Sequence, residues 1–128
     1  MRRVAAASLL LFVACSSATT ATPHTARGNR NVITFEEIQA EARPGATAWD
    51  LISSLRPLFL NSRGRVSLQN TAPAYAVVYM DGMRYGEIQA LRSISVESIR
   101  SVEYLSSSDA TTRYGTDHPA GAIVIVTR

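Results

Sequence analysis

Asp117-His118 is the pair to inspect first for acid–base chemistry, because histidine is the side chain that titrates near neutral pH. Residues adjacent in a chain seldom orient one another as a catalytic pair, and no serine or cysteine is marked by its neighbours as an activated nucleophile. The pair is therefore expected in a solvated loop, and no residue of the chain is expected to be catalytic. His24, His118 and Cys15 make no recognisable metal spacing, so no metal and no other cofactor is expected. Asp81, followed by Gly82, reads as a turn residue, Glu103 as the polar face of a strand, and Trp49 as core. Asp109, Arg113, Asp117 and His118 are the candidates for an interaction surface, with chemistry limited to complementary charge and hydrogen bonding.

The elements that would position these residues start at Thr34-Phe-Glu-Glu37, whose spacing is that of a capping box opening a short helix through Ala40. Arg43-Pro44-Gly45 breaks it. Thr47-Ala-Trp-Asp50 opens a second helix, with Ala48, Leu51, Ile52, Leu55 and Phe59 mainly on one face and Pro57 ending or kinking it. Asn61-Ser-Arg-Gly64 is turn material, and Val66-Ser-Leu68 is expected as a short edge strand before a loop from Gln69 to Pro73. Ala74 to Met80 is nearly continuously apolar and β-branched, as in a strand buried on both faces, and Asp81-Gly82 should reverse the chain into a short arm at Met83 to Tyr85.

Further on, Ser93 or Ser95 can cap a helical turn around Val96 to Arg100, before a strand at Ser101 to Leu105 with Val102 and Tyr104 on one face. Ser107 to Tyr114 reads as a serine-capped helix with Asp109 in its first turn, and Gly115 as its stop. Ala122 to Val126 carries five apolar residues in succession and should be central in the sheet. The residues 106–121 between the last two strands suffice for a right-handed parallel crossover. The expected fold class is α+β, a small mixed β-sheet with short helices.

With 128 residues and 46% apolar content, the chain has room for one domain. Met1-Arg-Arg3 followed by Val4 to Val13 is a positive region feeding a short apolar run, which reads as an export signal over residues 1–14. The run is too short to span a bilayer core of about 30 Å. Cys15, after Phe12-Val-Ala14, resembles the lipidated cysteine of a bacterial lipobox, although a leucine is usual where Phe12 stands. Lipid on Cys15 would anchor the chain, and Ser16 after it favours the outer membrane. The alternative is cleavage after Ser16-Ser-Ala18, which would release a soluble periplasmic protein. Residues 15–31 then read as the lipidated cysteine and a disordered tether of roughly 20 Å r.m.s. reach. The domain occupies residues 32–128.

All 13 basic residues are arginine against 10 carboxylates, and loss of Arg2 and Arg3 with the signal leaves 11 against 10, a net charge of +1. They are mostly scattered singly, so nucleic acid is not an expected partner.

Taken in order, Val77-Val-Tyr-Met-Asp-Gly82, Ile99 to Leu105, Asp109-Ala110 with Tyr114-Gly115, and Gly121 with the apolar strand after it resemble the plug domain of TonB-dependent outer-membrane receptors. The likeness covers about the last 50 residues. It assigns Asp81, Gly82, Glu103, Tyr114, Gly115 and Gly121 to the plug motifs. Departures are His118-Pro119-Ala120 in place of a glycine-rich run, and a tail without a recognisable TonB-contacting segment. A plug of this kind works inside a β-barrel, and 128 residues cannot hold both.

With the export signal and Cys15, the resemblance implies a non-enzymatic, lipid-anchored outer-membrane protein that is not a transporter by itself, an accessory whose partner would be a β-barrel or another envelope protein. The alternative expectation is a soluble periplasmic protein binding a small ligand with the loops around Asp81 and Asp117-His118.

Overall fold

A computed structural model describes residues 29–128. The export signal, Cys15, His24 and most of the tether lie outside the described residues. The elements run β1 (Val32–Ile33), α1 (Phe35–Glu41), α2 (Ala48–Leu55), β2 (Val77–Met80), β3 (Met83–Gly86), β4 (Ile99–Leu105), α3 (Ser107–Tyr114) and β5 (Ala122–Thr127). Short 3-10 helices occupy Pro57–Leu60, Ile88–Ser93 and Val96–Ser98. The five strands form one sheet in the order β1-β4-β5-β2-β3. Among the described residues only β2 and β5 pair in parallel. The expected α+β class and mixed sheet are what the chain adopts.

Both N-terminal helices start where their capping boxes place them. Thr34 accepts from the Glu37 N–H, and the Glu37 carboxylate accepts from the Thr34 N–H at 3.0 Å. Thr47 and Asp50 repeat the exchange, at 2.9 Å for the Thr47 N–H. Each box satisfies two backbone donors that a helix start leaves open, and losing its threonine costs about 1 kcal/mol. Burial pushes the Glu37 carboxyl up, but the Thr34 N–H and the Arg56 guanidinium, 2.8 Å away, outweigh it and hold the group below its ordinary range. That ion pair links α1 to the end of α2.

The apolar runs of β2 and β5 are continuous because each faces two cores. Alternate residues of a strand point to opposite faces, so Val78, Ile123 and Ile125 enter the larger core with Ile33, Ile38, Ile52 and Leu91. Val77, Tyr79, Ala122 and Val124 enter a smaller one closed by Ala110 of α3. Full burial of each isoleucine contributes about 1.5–3 kcal/mol. No helix among the described residues is long and apolar enough to cross a membrane.

Two sequence expectations fail. Val66-Ser-Leu68 is not a strand: the segment forms an irregular hairpin with one isolated bridge, Arg65 to Pro73, and turns at its tip where the Ser67 N–H donates to the Asn70 carbonyl. No neighbouring strand among the described residues offers it a ladder. The 106–121 connection is also not a parallel crossover, because β4 and β5 are antiparallel and Leu105 lies opposite Ala122. Sixteen residues permit a crossover without requiring one. Here α3, about 12 Å long, runs out and the 115–121 loop returns the chain to the sheet end it left. β5 finds its parallel neighbour in β2 instead.

Smaller shifts follow from caps. Ser95 caps a turn that ends at Ser98, so β4 begins at Ile99, and Ser106 rather than Ser107 caps α3. The 3-10 helix Ile88–Ser93 has no capping signal in the sequence and was not expected.

Candidate functional site

The chemistry-bearing residues gather where α3 and the 115–121 loop cover β2 and β5. His118 is 5% exposed, so the solvated-loop expectation holds for Asp117 and is corrected for His118. His118 Nδ1 lies 2.9 Å from the Gly115 carbonyl oxygen, and Nε2 lies 2.8 Å from the Tyr79 hydroxyl. A carbonyl can only accept, which places the proton on Nδ1 and leaves Nε2 to accept from Tyr79. Both ring nitrogens are committed in the neutral form.

Tyr79 stacks on Tyr114 with centroids 3.8 Å apart and planes 12° from parallel. The Tyr114 hydroxyl is buried with no hydrogen-bond partner among the described residues. Arg113 extends over the outer side of the group, 5.4 Å from the Tyr114 ring centroid and 3.7 Å from Glu103. That ion pair is about half exposed on both sides, so its contribution to stability is small. Asp109 sits in the first turn of α3, where its carboxylate accepts from the Ser106 hydroxyl at 2.6 Å. Asp117 is exposed and takes a positive φ of 80°.

Gly121 closes the loop. Its φ is 82°, and a Cβ there would stand 2.9 Å from Tyr104 Oη and inside the contact distance of the Leu105 carbonyl oxygen. Tyr104 donates its hydroxyl to the Ala120 carbonyl at 2.8 Å, so glycine lets the chain pass directly against β4.

Asp81 and Gly82 form the β2–β3 turn with φ of 48° and 83°. The Asp81 carboxylate also accepts from the Thr127 hydroxyl at 2.7 Å and the Thr127 N–H at 2.9 Å, tying the turn to the end of β5. Those bonds hold its carboxyl below the usual range. Because β2 and β5 are parallel, Asp81 lies at one end of the pair, while the 115–121 loop enters at the other. The structure thus brings Arg113, Tyr114 and His118 together with Glu103 nearby, and does not bring Asp81 to Asp117-His118.

Beside Asp117 runs a groove of about 350 Å³, with Val66, Tyr75, Arg84, Glu87 and Pro119 in its walls. Tyr79, Tyr104 and Thr127 are partners that sequence reasoning missed. Tyr79 and Tyr104 looked like ordinary strand residues, and only their hydroxyls, polar groups inside apolar runs, signalled a need for partners.

A protein-family model described as "TonB-dependent Receptor Plug Domain" matches residues 22–122. Searches of curated proteins and of solved structures return no match.

Proposed function

The chain belongs to the TonB-dependent receptor plug family, and from that premise we propose that it is a non-enzymatic outer-membrane lipoprotein whose plug domain binds an envelope protein as an accessory of uptake. Cys15 carries the anchor, and the partner is a β-barrel or another protein of the same envelope. The observation that carries the reading is the His118 arrangement. An imidazole held on both nitrogens, beneath a stacked tyrosine pair, gives the loop after α3 a defined shape and makes the histidine a positioning residue. Asp109, Arg113 and Asp117 remain exposed around it and provide charge of both signs for recognition.

In-cell crosslinking from positions 109, 113 and 117 should capture an envelope protein, and capture of none would count against the reading. Radiolabelled palmitate should enter the protein and be lost in Cys15→Ala. Unchanged labelling of that variant, or none in the native chain, would remove the anchor.

The second reading, a soluble periplasmic binder of a small ligand, is favoured by the groove beside Asp117. Its ligand would contact Tyr75, Arg84 and Asp117 and not the Asp81 turn. Equilibrium dialysis against periplasmic extract, with Arg84→Ala as the control, separates the two readings.

A further inference from the structure

The hairpin at residues 61–76 projects exposed side chains from a base where Ala74 and Ala76 are buried. Leu68 is 102% exposed at its apex, in the turn closed by the Ser67 N–H and the Asn70 carbonyl, and Val66 and Tyr75 are 50% and 47% exposed behind it. Arg63 and Arg65 are exposed on the same segment, and no carboxylate falls anywhere between Asp50 and Asp81. Arg63 is steadied at the base, 4.7 Å from the Tyr104 ring centroid, with its guanidinium 3.4 Å from the Leu58 carbonyl oxygen.

We propose that this hairpin is a lipid-contacting tip that rests the domain on an anionic membrane surface, with Leu68 entering the acyl boundary and the arginines meeting phosphate headgroups. An apex of one leucine backed by valine and tyrosine is too small for the core of a stable protein interface, which buries about 800 Å² on each partner. It does suit a fluid surface, where leucine enters the hydrocarbon, tyrosine lies at the boundary and arginine stays with the headgroups. The tip carries no carboxylate of its own, so Arg63 and Arg65 set the charge that anionic lipid meets there, while Glu87 and Asp117 lie by the groove behind Val66 and Tyr75.

One such tip binds weakly, as a single short acyl chain does, and two membrane signals on one chain reinforce each other. The proposal rests on the lipid-anchored reading above, which supplies the first signal.

The test uses the whole anchored protein reconstituted in vesicles of phosphatidylglycerol and phosphatidylcholine, with Leu68→Trp in a Trp49→Phe background. Emission should shift to the blue and be quenched by brominated acyl chains. Arg65→Gln should weaken the tip's membrane partition roughly fivefold. Met83→Trp, at the opposite end of β2 and 77% exposed in the native chain, should stay unquenched. If Trp49→Phe impairs folding, the same reading is taken by difference with Trp49 retained.

Emission from Leu68→Trp that is unchanged by vesicles overturns the proposal, as does equal quenching at positions 68 and 83. A shift that requires a co-reconstituted barrel protein means that the occupant is a protein, and overturns it too. Palmitate incorporation with unquenched emission removes the tip and keeps the anchor, whereas quenching without palmitate, read with added protein, keeps the tip and removes the anchor.

Discussion

Gly121→Ala tests the tight passage of the 115–121 loop against β4. The new methyl would meet the Leu105 carbonyl oxygen and lie 2.9 Å and 3.2 Å from Tyr104 Oη and Cζ, at a backbone φ of 82°. The left-handed conformation alone costs an alanine about 1–2 kcal/mol. Relieving the clash must displace backbone on one side or the other, since the first obstacle is a main-chain oxygen held in the β4–β5 ladder. Three hydrogen bonds lie in the way of that shift: Tyr104 hydroxyl to the Ala120 carbonyl, Gly121 N–H to the His118 carbonyl, and Val77 N–H to the Gly121 carbonyl. At about 1 kcal/mol for each bond weakened, the total comes to about 4–5 kcal/mol. For a domain of this size that lowers the unfolding midpoint by roughly 15–40 °C. Gly82→Ala is the matched control, because Gly82 has nearly the same φ, 83°, with nothing within 4 Å of an added Cβ. It should cost only about 1–2 kcal/mol. Thermal and urea unfolding followed by circular dichroism measure both variants. Equal losses would refute the reasoning, since the conformation would then explain everything and the contact with β4 nothing.

His118→Phe should cost about 1–3 kcal/mol by stranding the buried Tyr79 hydroxyl, and adding Tyr79→Phe should recover part of it; strictly additive losses in urea unfolding would deny the pairing. Asp81 and Asp50 have folded-state carboxyls held low, by the Thr127 bonds and by the Thr47 N–H and hydroxyl respectively. Their contribution is fully present above the unfolded pKa near 4 and disappears as the pH falls through the lower folded value, so the stability gap between native protein and Asp81→Asn should narrow on acidification below about pH 4. Asparagine tolerates the positive φ, so backbone strain does not enter the comparison. Thr34→Ala and Thr47→Ala should each cost about 1 kcal/mol by urea unfolding, with additive losses, because the two caps share no partner.

Local rules made several elements legible before any coordinates. Both capping boxes, the Asp81-Gly82 reversal, the Gly115 stop and the double-sided burial of β2 and β5 depend on residues within a few positions of one another, and each lies where its sequence places it. The plug motifs were readable for the same reason, as short words in a given order. Val66-Ser-Leu68 shows the limit: its alternation is that of a strand, but a strand also needs a neighbour, and none lies alongside.

What the sequence determined by itself was therefore the capped helices, the Asp81-Gly82 turn, the buried strands β2 and β5 and the family they compose. Tertiary structure decided which elements meet. It turned the 106–121 connection back on itself, because β5 could satisfy its parallel pairing through β2, far earlier in the chain. It also moved His118 from an apparently solvated loop to the underside of one, since the hydroxyl it accepts from belongs to Tyr79, 39 residues away. Pairing between distant residues is set by the whole packed sheet, and no local pattern around His118 encodes it.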